Sequence, residues 1–409
     1  MQNSDIVVDH FGRETLSGPY PEALNEILSP AMAKAAYAEI SSWPAYQPTP
    51  LRNLDALATS LSVGALYYKD ESTRLGLGSF KALGGAYAVL RLAATQIEAK
   101  TGKKVSLSEI RAGQHSTALS ELTVVTATDG NHGRSVAWGA QMAGCACRIY
   151  IHAGVSEGRK QAMEAFGATV IRISGDYDES LKVCAEEAKS NHWFIVSDTS
   201  YPGYMNLPRH VMAGYSVMAT EILQQLEGKR PSHVFLQAGV GGLAAAICAR
   251  FWHSMGNDKP RVIIVEPTRA ACVLESARQD KPMTVEITEE TIMAGLSCGE
   301  VSLLAWDILS QGASDFITIG EDGIGPAMRL LASGTAGGGE IIAGESAVPG
   351  LLGAIGMASR KDLRDRLDLG PDSTVLVFGC EGATDPAIYK AIIDAPSDRD
   401  DALMEPWHG

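Results

Sequence analysis

From about residue 62 to residue 380 the chain alternates short runs of β-branched and aliphatic residues with longer stretches at helical spacing. The clearest runs are LTVVTAT (122–128), CRIYIHA (147–153), ATVIRIS (168–174), HWFIVSD (192–198), HVFLQAG (233–239), RVIIVEP (261–267) and STVLVFG (373–379). Most are nearly continuous apolar runs, the pattern of strands covered on both faces. Between them lie the helical segments GRSVAWGAQMAG, SEGRKQAMEAFG, YDESLKVCAEEAK, VMAGYSVMATEILQQLEG and GLAAAICARFWHSMG. Ser156 is placed to cap a helix starting at Glu157, and Gly167 to stop it. This alternation predicts an α/β fold with mainly parallel sheets. In such sheets ligands bind at the carboxyl ends of strands, which directs attention to the loops after Thr128, Ser197, Ala238 and Phe378. The polar insert 100–121 reads as a surface excursion, and 1–50 and 394–409 carry no interpretable pattern.

The length of 409 residues predicts two to three domains at ~100–200 residues each. A composition of 45% hydrophobic and 20% charged residues excludes a mostly disordered chain. There is no apolar run of about 18 residues to span a bilayer, and the start, MQNSDIVVDHFGRE, lacks the pattern of a signal peptide. A net charge of −14 argues against nucleic acid or an anionic membrane surface as the main partner. Seven scattered cysteines form no CxxC pair and no secreted disulfide framework, so a reduced, cytoplasmic protein is expected. Whether Cys272 and Cys298 meet in space stays open. Nine histidines form neither HExxH nor a Cys/His cluster, so no metal site is expected.

Four constellations carry candidate chemistry. In KDESTRLGLGSFKALGGAYAV (69–89) a strand enters a Gly-rich loop, and Lys81 opens an apolar helix. Poor solvation and a nearby helix N-terminus both disfavour its ammonium and make it a nucleophile suited to a Schiff base. The plainer reading is a lysine that snorkels from the first helical turn. In TATDGNHGRSVAWGA (126–140) two glycines admit a flat ligand, Asn131 offers amide donors, and the helix start can hold a carboxylate. An ordinary turn capped by Asp129 is the plainer reading. In QAGVGGLAAAICARF (237–251) three glycines precede a helix and form a phosphate cradle. Gly239, Gly241 and Ala244, with Glu266 ending the next strand, also fit a dinucleotide fingerprint and hence a nicotinamide oxidoreductase. Last come Asp198, Glu345 and Cys380 near strand ends. Read blandly, they are a turn former, a solvated loop acid and a small core hydrophobe.

SFK, a Gly-Asn-rich loop, a later GxGGL and a small residue after the last strand, in that order, resemble the tryptophan-synthase-β group of pyridoxal-phosphate enzymes, called fold type II. The resemblance covers roughly residues 51–386. It implies an α/β architecture of two doubly wound, mainly parallel-sheet domains with the cofactor between them. Residues 1–88 and 202–409 would form the larger, cofactor-binding domain, and 89–201 the smaller one with the TDGNHG loop. The cofactor implied is pyridoxal 5'-phosphate. Lys81 would hold it covalently, and Asn131 would donate to its phenolic oxygen. Gly239, Val240, Gly241, Gly242 and Leu243 would wrap its phosphate, and Cys380 would face the ring nitrogen. Ser79, Asp129, Gly130 and His132 would meet the substrate.

Asp129 stands where the dehydratases of this group usually carry a small residue. KDESTRLGLGSFKALGGAYA, MAGLSCGE (293–300) and EGATDPAIY (381–389) narrow the resemblance to members that eliminate ammonia from 2,3-diaminopropionate. Lys81, Asp129 and Asp198 are then the catalytic candidates. An amine leaves poorly unless protonated, and the two aspartates supply a carboxylate for its proton. The expected products are pyruvate and two ammonia, the partner is a small amino acid, and the assembly a homodimer. Elimination from serine or threonine is the alternative within the group.

Overall fold

The computed structural model describes residues 2–128, 130–395, 397 and 400–407. It divides into two compact units: Met1–Pro30, Pro48–Arg74 and Met218–Gly409 in one, Ala31–Gln47 and Leu75–Val217 in the other. The second unit thus includes residues 31–47, 75–88 and 202–217, which the sequence reading assigns to the larger domain.

The larger unit is built on a seven-stranded sheet. Its strands are β1 (Val7–Gly12), β2 (Leu51–Asn53), β3 (Ala65–Asp70), β8 (His233–Gln237), β9 (Arg261–Pro267), β10 (Asp315–Ile319) and β11 (Thr374–Gly379), in the order β1-β10-β9-β8-β11-β3-β2. The five inner strands run parallel, and only the edge strands β1 and β2 pair antiparallel. Strands β8 and β10 are buried at every residue, as continuous apolar runs require. The smaller unit carries a four-stranded parallel sheet in the order β6-β5-β4-β7, made of β4 (Thr123–Ala127), β5 (Ala146–Ile151), β6 (Thr169–Arg172) and β7 (Phe194–Ile195). No helix among the described residues is long and apolar enough to cross a membrane.

The structure adds what the pattern lacked. Strands β1, β2 and β10 have no counterpart among the seven clearest runs. The expected strand at 192–198 contracts to two residues, β7, after which the chain bends toward Asp198. The insert 100–121 is not a free excursion. Ser106 and Glu109 close a capping box on the helix Leu107–Arg111, and Leu107, Ile110 and Leu119 are buried. The Ser156 cap stands, with its hydroxyl accepting from the Arg159 N–H at 3.2 Å.

A fully buried ionic cluster lies beside the end of β3. Lys69 Nζ donates to Glu221 at 2.6 Å and to the Thr49 carbonyl at 2.8 Å. Arg74 forks onto Glu71 at 2.7 and 2.8 Å and onto Glu221 at 2.7 and 2.8 Å. Two cations face two carboxylates, all with no exposed side-chain surface. Burial pushes the Glu221 carboxyl up, but Arg74 and Lys69 outweigh it and hold the group below its ordinary range. The Glu71 N–H also holds the Gly379 carbonyl at 2.9 Å, so the cluster fixes the strand end that precedes Cys380. Glu221→Ala would leave Lys69 without its carboxylate partner and Arg74 with Glu71 alone. A loss of about 3–5 kcal/mol in denaturant unfolding is expected. The exposed pair Lys100–Glu121, cut by Glu121→Ala, should change stability little.

Candidate active site

In the smaller unit, Lys81 is the first residue of the helix Lys81–Thr101, and its N–H bonds the Ser79 hydroxyl at 3.3 Å. Its ammonium pairs directly with the Asp198 carboxylate, and the two side chains are 20% and 19% exposed. Lys81 is therefore not a snorkelling surface lysine. Burial raises the Asp198 carboxyl, but Lys81 and then His132 overrule it and hold the group far below the ordinary range. Asp198 is an anion throughout the working pH range.

His132 lies in the first turn of the helix Asn131–Ala143 and is buried. Its Nε2 is 2.8 Å from the Val196 carbonyl, which only accepts, so Nε2 carries the proton. Its Nδ1 is 3.9 Å from Asp198. Burial lowers the ring's pKa, against the opposing pull of the Asp198 carboxylate. The loop bearing Asp198 is tied by Tyr204, whose hydroxyl donates to the Ile195 carbonyl at 3.0 Å and accepts from the Ser197 N–H at 2.9 Å. The Gly130 N–H donates to Thr128 Oγ1 at 3.2 Å. Asp129 lies outside the described residues. The helices carrying Lys81 and Asn131 pack closely because Gly85 has no side chain. A Cβ there would lie 2.6 Å from Ser135 Oγ, which instead accepts from the Ala86 N–H at 2.9 Å. Lys81, Asp198, His132 and Ser79 thus come together; the sequence signal missed Tyr204 and Ser135.

In the larger unit, β8 runs into Gly239-Val240-Gly241-Gly242-Leu243, and Gly241 precedes the helix Gly242–Met255 at φ 89°, the left-handed region that glycine tolerates. A Cβ at Gly239 would lie 2.9 Å from Cys298 Sγ and 3.1 Å from the Gly295 carbonyl. The result is a glycine-lined backbone turn at a helix start, suited to a phosphate dianion. Cys380 follows β11, is buried, and its thiol donates to the Ser346 carbonyl at 3.1 Å. Gln237 fixes the same corner, donating to Phe378 and Ser346 carbonyls at 2.7 and 3.2 Å. Glu345 is buried rather than a solvated loop acid. Cys272 and Cys298 do not form a disulfide with each other, and Cys272 Sγ lies 3.7 Å from the Gly239 carbonyl.

The dinucleotide reading fails at Glu266. That residue has no exposed surface, and its two oxygens accept from the Val273 and Leu274 N–H groups at 2.8 and 2.7 Å. Burial pushes its carboxyl up to about 8. It caps the helix Cys272–Gln279 and offers nothing to a ribose. The glycine cradle, a half-buried lysine with a carboxylate partner, and a thiol after the last strand instead match the needs of a phosphorylated aldehyde cofactor. No cluster of three or more metal-ligating side chains occurs among the described residues.

Two mainly parallel units carrying these parts define a pyridoxal-phosphate enzyme of fold type II. Residues 42–381 match the family of pyridoxal-phosphate dependent enzymes, and the chain belongs to it. Among curated relatives, diaminopropionate ammonia-lyase of Escherichia coli K12 is 36% identical over 373 residues, covering 90% of this chain and 92% of that protein. Its counterpart in Salmonella typhimurium is 35% identical over 86% of this chain and 89% of its own length. The selenomethionine holo crystal structure of the Escherichia coli enzyme superposes with a TM-score of 0.85 at 33% identity, covering 95% of this chain and 97% of that one. The same enzyme in complex with an aminoacrylate-PLP azomethine reaction intermediate gives 0.83 at 33% identity, covering 95% and 98%.

Proposed function

We propose that this protein is a carbon–nitrogen lyase that uses pyridoxal 5'-phosphate to convert 2,3-diaminopropionate and one water to pyruvate and two ammonia. The observation that carries the reading is the Lys81–Asp198 pair, a lysine at a helix start held in place by a carboxylate whose pKa its charge depresses. When bound, the cofactor supplies a conjugated ring that takes up the electron pair left at the substrate's α-carbon.

The chain's own residues do the rest. Lys81 holds the cofactor and, once displaced by the substrate's α-amine, is the base for the α-proton on its face. Gly239 to Leu243 bind the phosphate through backbone N–H groups, and Asn131 donates to the phenolic oxygen. The neutral Cys380 thiol leaves the ring nitrogen unprotonated, which suffices for an elimination in which the leaving group departs at once. Ser79, Gly130 and His132 orient the substrate. Asp198 attracts the β-ammonium, so that nitrogen enters already protonated and leaves as ammonia. Asp129 is the base on the opposite face, which lets both enantiomers react.

A homodimer in the cytoplasm is part of the same reading; sedimentation of the purified holoenzyme tests the assembly.

Ammonia release from both enantiomers of diaminopropionate and from serine tests the substrate. Charge-assisted hydrogen bonds contribute about 1.5–3 kcal/mol against about 1 for neutral ones, so Asp198→Asn should cost roughly tenfold more kcat/KM on diaminopropionate than on serine. Asp129→Asn should remove one enantiomer selectively. Equal losses on all three substrates would reduce both aspartates to loop supports and favour a hydroxy amino acid as substrate.

A further inference from the structure

Asp198 pairs with Lys81 and lies 3.9 Å from His132 Nδ1, and Tyr204 and Tyr215 of the same unit interact with it electrostatically. Three of these four are committed. Lys81 holds the carboxylate itself. The His132 N–H is spent on the Val196 carbonyl, and the Tyr204 hydroxyl on the Ile195 carbonyl. Tyr215, on the helix Asn206–Gln225, is the exception. It is 1% exposed, and its hydroxyl is buried with no hydrogen-bond partner.

The fold makes room for that ring. Its centroid lies 4.6 Å from the Phe80 ring, and Lys81 Nζ sits 5.6 Å from the same Phe80 centroid. A Cβ at Gly84 would lie 2.4 Å from Tyr215 Cε1, so the first turn of the lysine-bearing helix is stripped to backbone where the phenol packs. A buried hydroxyl without a partner is destabilising, and phenylalanine would fill the same space without that cost.

The reaction supplies the missing partner. Resting on Lys81 as the cofactor lysine, its nitrogen cannot serve as the ammonium of Asp198 while it is bonded to the cofactor or taking a proton from substrate. At those moments the Asp198 carboxylate, 19% exposed, loses its charge partner, and its pKa rises unless another donor takes the place of the lysine. We propose that the Tyr215 hydroxyl is a positioning group that donates to Asp198 whenever Lys81 is otherwise engaged. It thereby keeps Asp198 ionised and aimed at the β-ammonium.

The test is Tyr215→Phe in the holoenzyme. The melting temperature should stay the same or rise, because an unpartnered hydroxyl is removed. The value of kcat on diaminopropionate should fall roughly ten- to a hundredfold, as for loss of a bond to a charged group, with KM little changed. Losing a donor raises a carboxyl pKa, so the acid limb of the kcat profile should move up by about one pH unit. A second arm uses cofactor-free protein. Carboxyl-carbon NMR of Asp198, assigned by its loss in Asp198→Asn, is compared in Lys81→Ala and Lys81→Ala/Tyr215→Phe. The double variant should titrate about one unit higher. Equal midpoints, unchanged kcat, or a kcat loss that merely tracks a lower melting temperature would each overturn the proposal. If Lys81→Ala still binds cofactor in a borohydride-reducible form, the lysine assignment fails, while the NMR arm still decides the Tyr215–Asp198 contact.

Discussion

Lys81→Ala should erase the visible absorbance of covalently held cofactor and lower turnover on diaminopropionate by at least roughly 10²–10⁴-fold, the range of a lost general base. The covalent role adds to that loss. The fold should survive, since Ala82 onward still forms the apolar face of the helix and alanine is a better helix former than lysine. Asp198 bears the electrostatic consequence. In the cofactor-free protein, the form to be denatured, Lys81 and His132 more than offset burial and depress its carboxyl. A depressed folded-state pKa contributes stability above the unfolded value, about 4 for aspartate, and that contribution fades as pH falls toward the folded value. Removing the lysine removes it. The stability gap between native protein and variant should therefore be widest near neutral pH and close in acid. Chemical denaturation at pH 7 and pH 3 measures it. A gap that stays constant with pH, or a variant that keeps a borohydride-reducible adduct, would sink the assignment.

What was legible in the sequence had a local cause. Strands β4, β8, β9 and β11 are largely buried apolar runs, and each declares itself in five to seven residues. Strand β10 reads DFITI, but Asp315 at its head looks like a loop residue. It is buried because Arg366 and His10 hold it at 2.7 and 3.0 Å, partners far away in sequence. Strand β1 carries His10 and Asp9 on an antiparallel edge, where apolar continuity is not required. The same distinction runs through the site. Lys81, the TDGNHG loop and the glycine cradle are local signals. The bond from Lys81 to Asp198 spans 117 positions, and that from Arg74 to Glu221 spans 147. Helical spacing marks Tyr215 as one more apolar face residue; only its buried, unpaired hydroxyl sets it apart.

Gly241→Asp should abolish binding of pyridoxal phosphate at micromolar concentration while leaving the fold recognisable. Two effects act there, and Gly241→Ala separates them. At φ 89° any side chain is strained, and a Cβ would lie 3.2 Å from Ala305 Cβ and 3.3 Å from Leu309 Cδ1. Left-handed backbone costs a non-glycine residue about 1–2 kcal/mol, so alanine should weaken binding modestly. Aspartate adds a charge. Ala305, Leu309 and Val301 line the Cβ position with apolar atoms, so the carboxylate is driven away from them and toward the amide donors meant for the phosphate. Two like charges 4 Å apart repel by about 4 kcal/mol at an effective dielectric of 20, and the phosphate is close to a dianion. At 1.4 kcal/mol per decade, the apparent Kd should rise roughly a thousandfold or more. Pyridoxal without its phosphate supplies the control. Its weak binding should be nearly the same in the native protein, Gly241→Ala and Gly241→Asp, because it presents no anion to the cradle. Fluorescence titration of the cofactor-free proteins with both ligands reads all six affinities. If pyridoxal and its phosphate weaken in parallel, the loop shapes the fold rather than holding the phosphate. If the phosphate still binds Gly241→Asp as it binds the native protein, the cradle lies elsewhere.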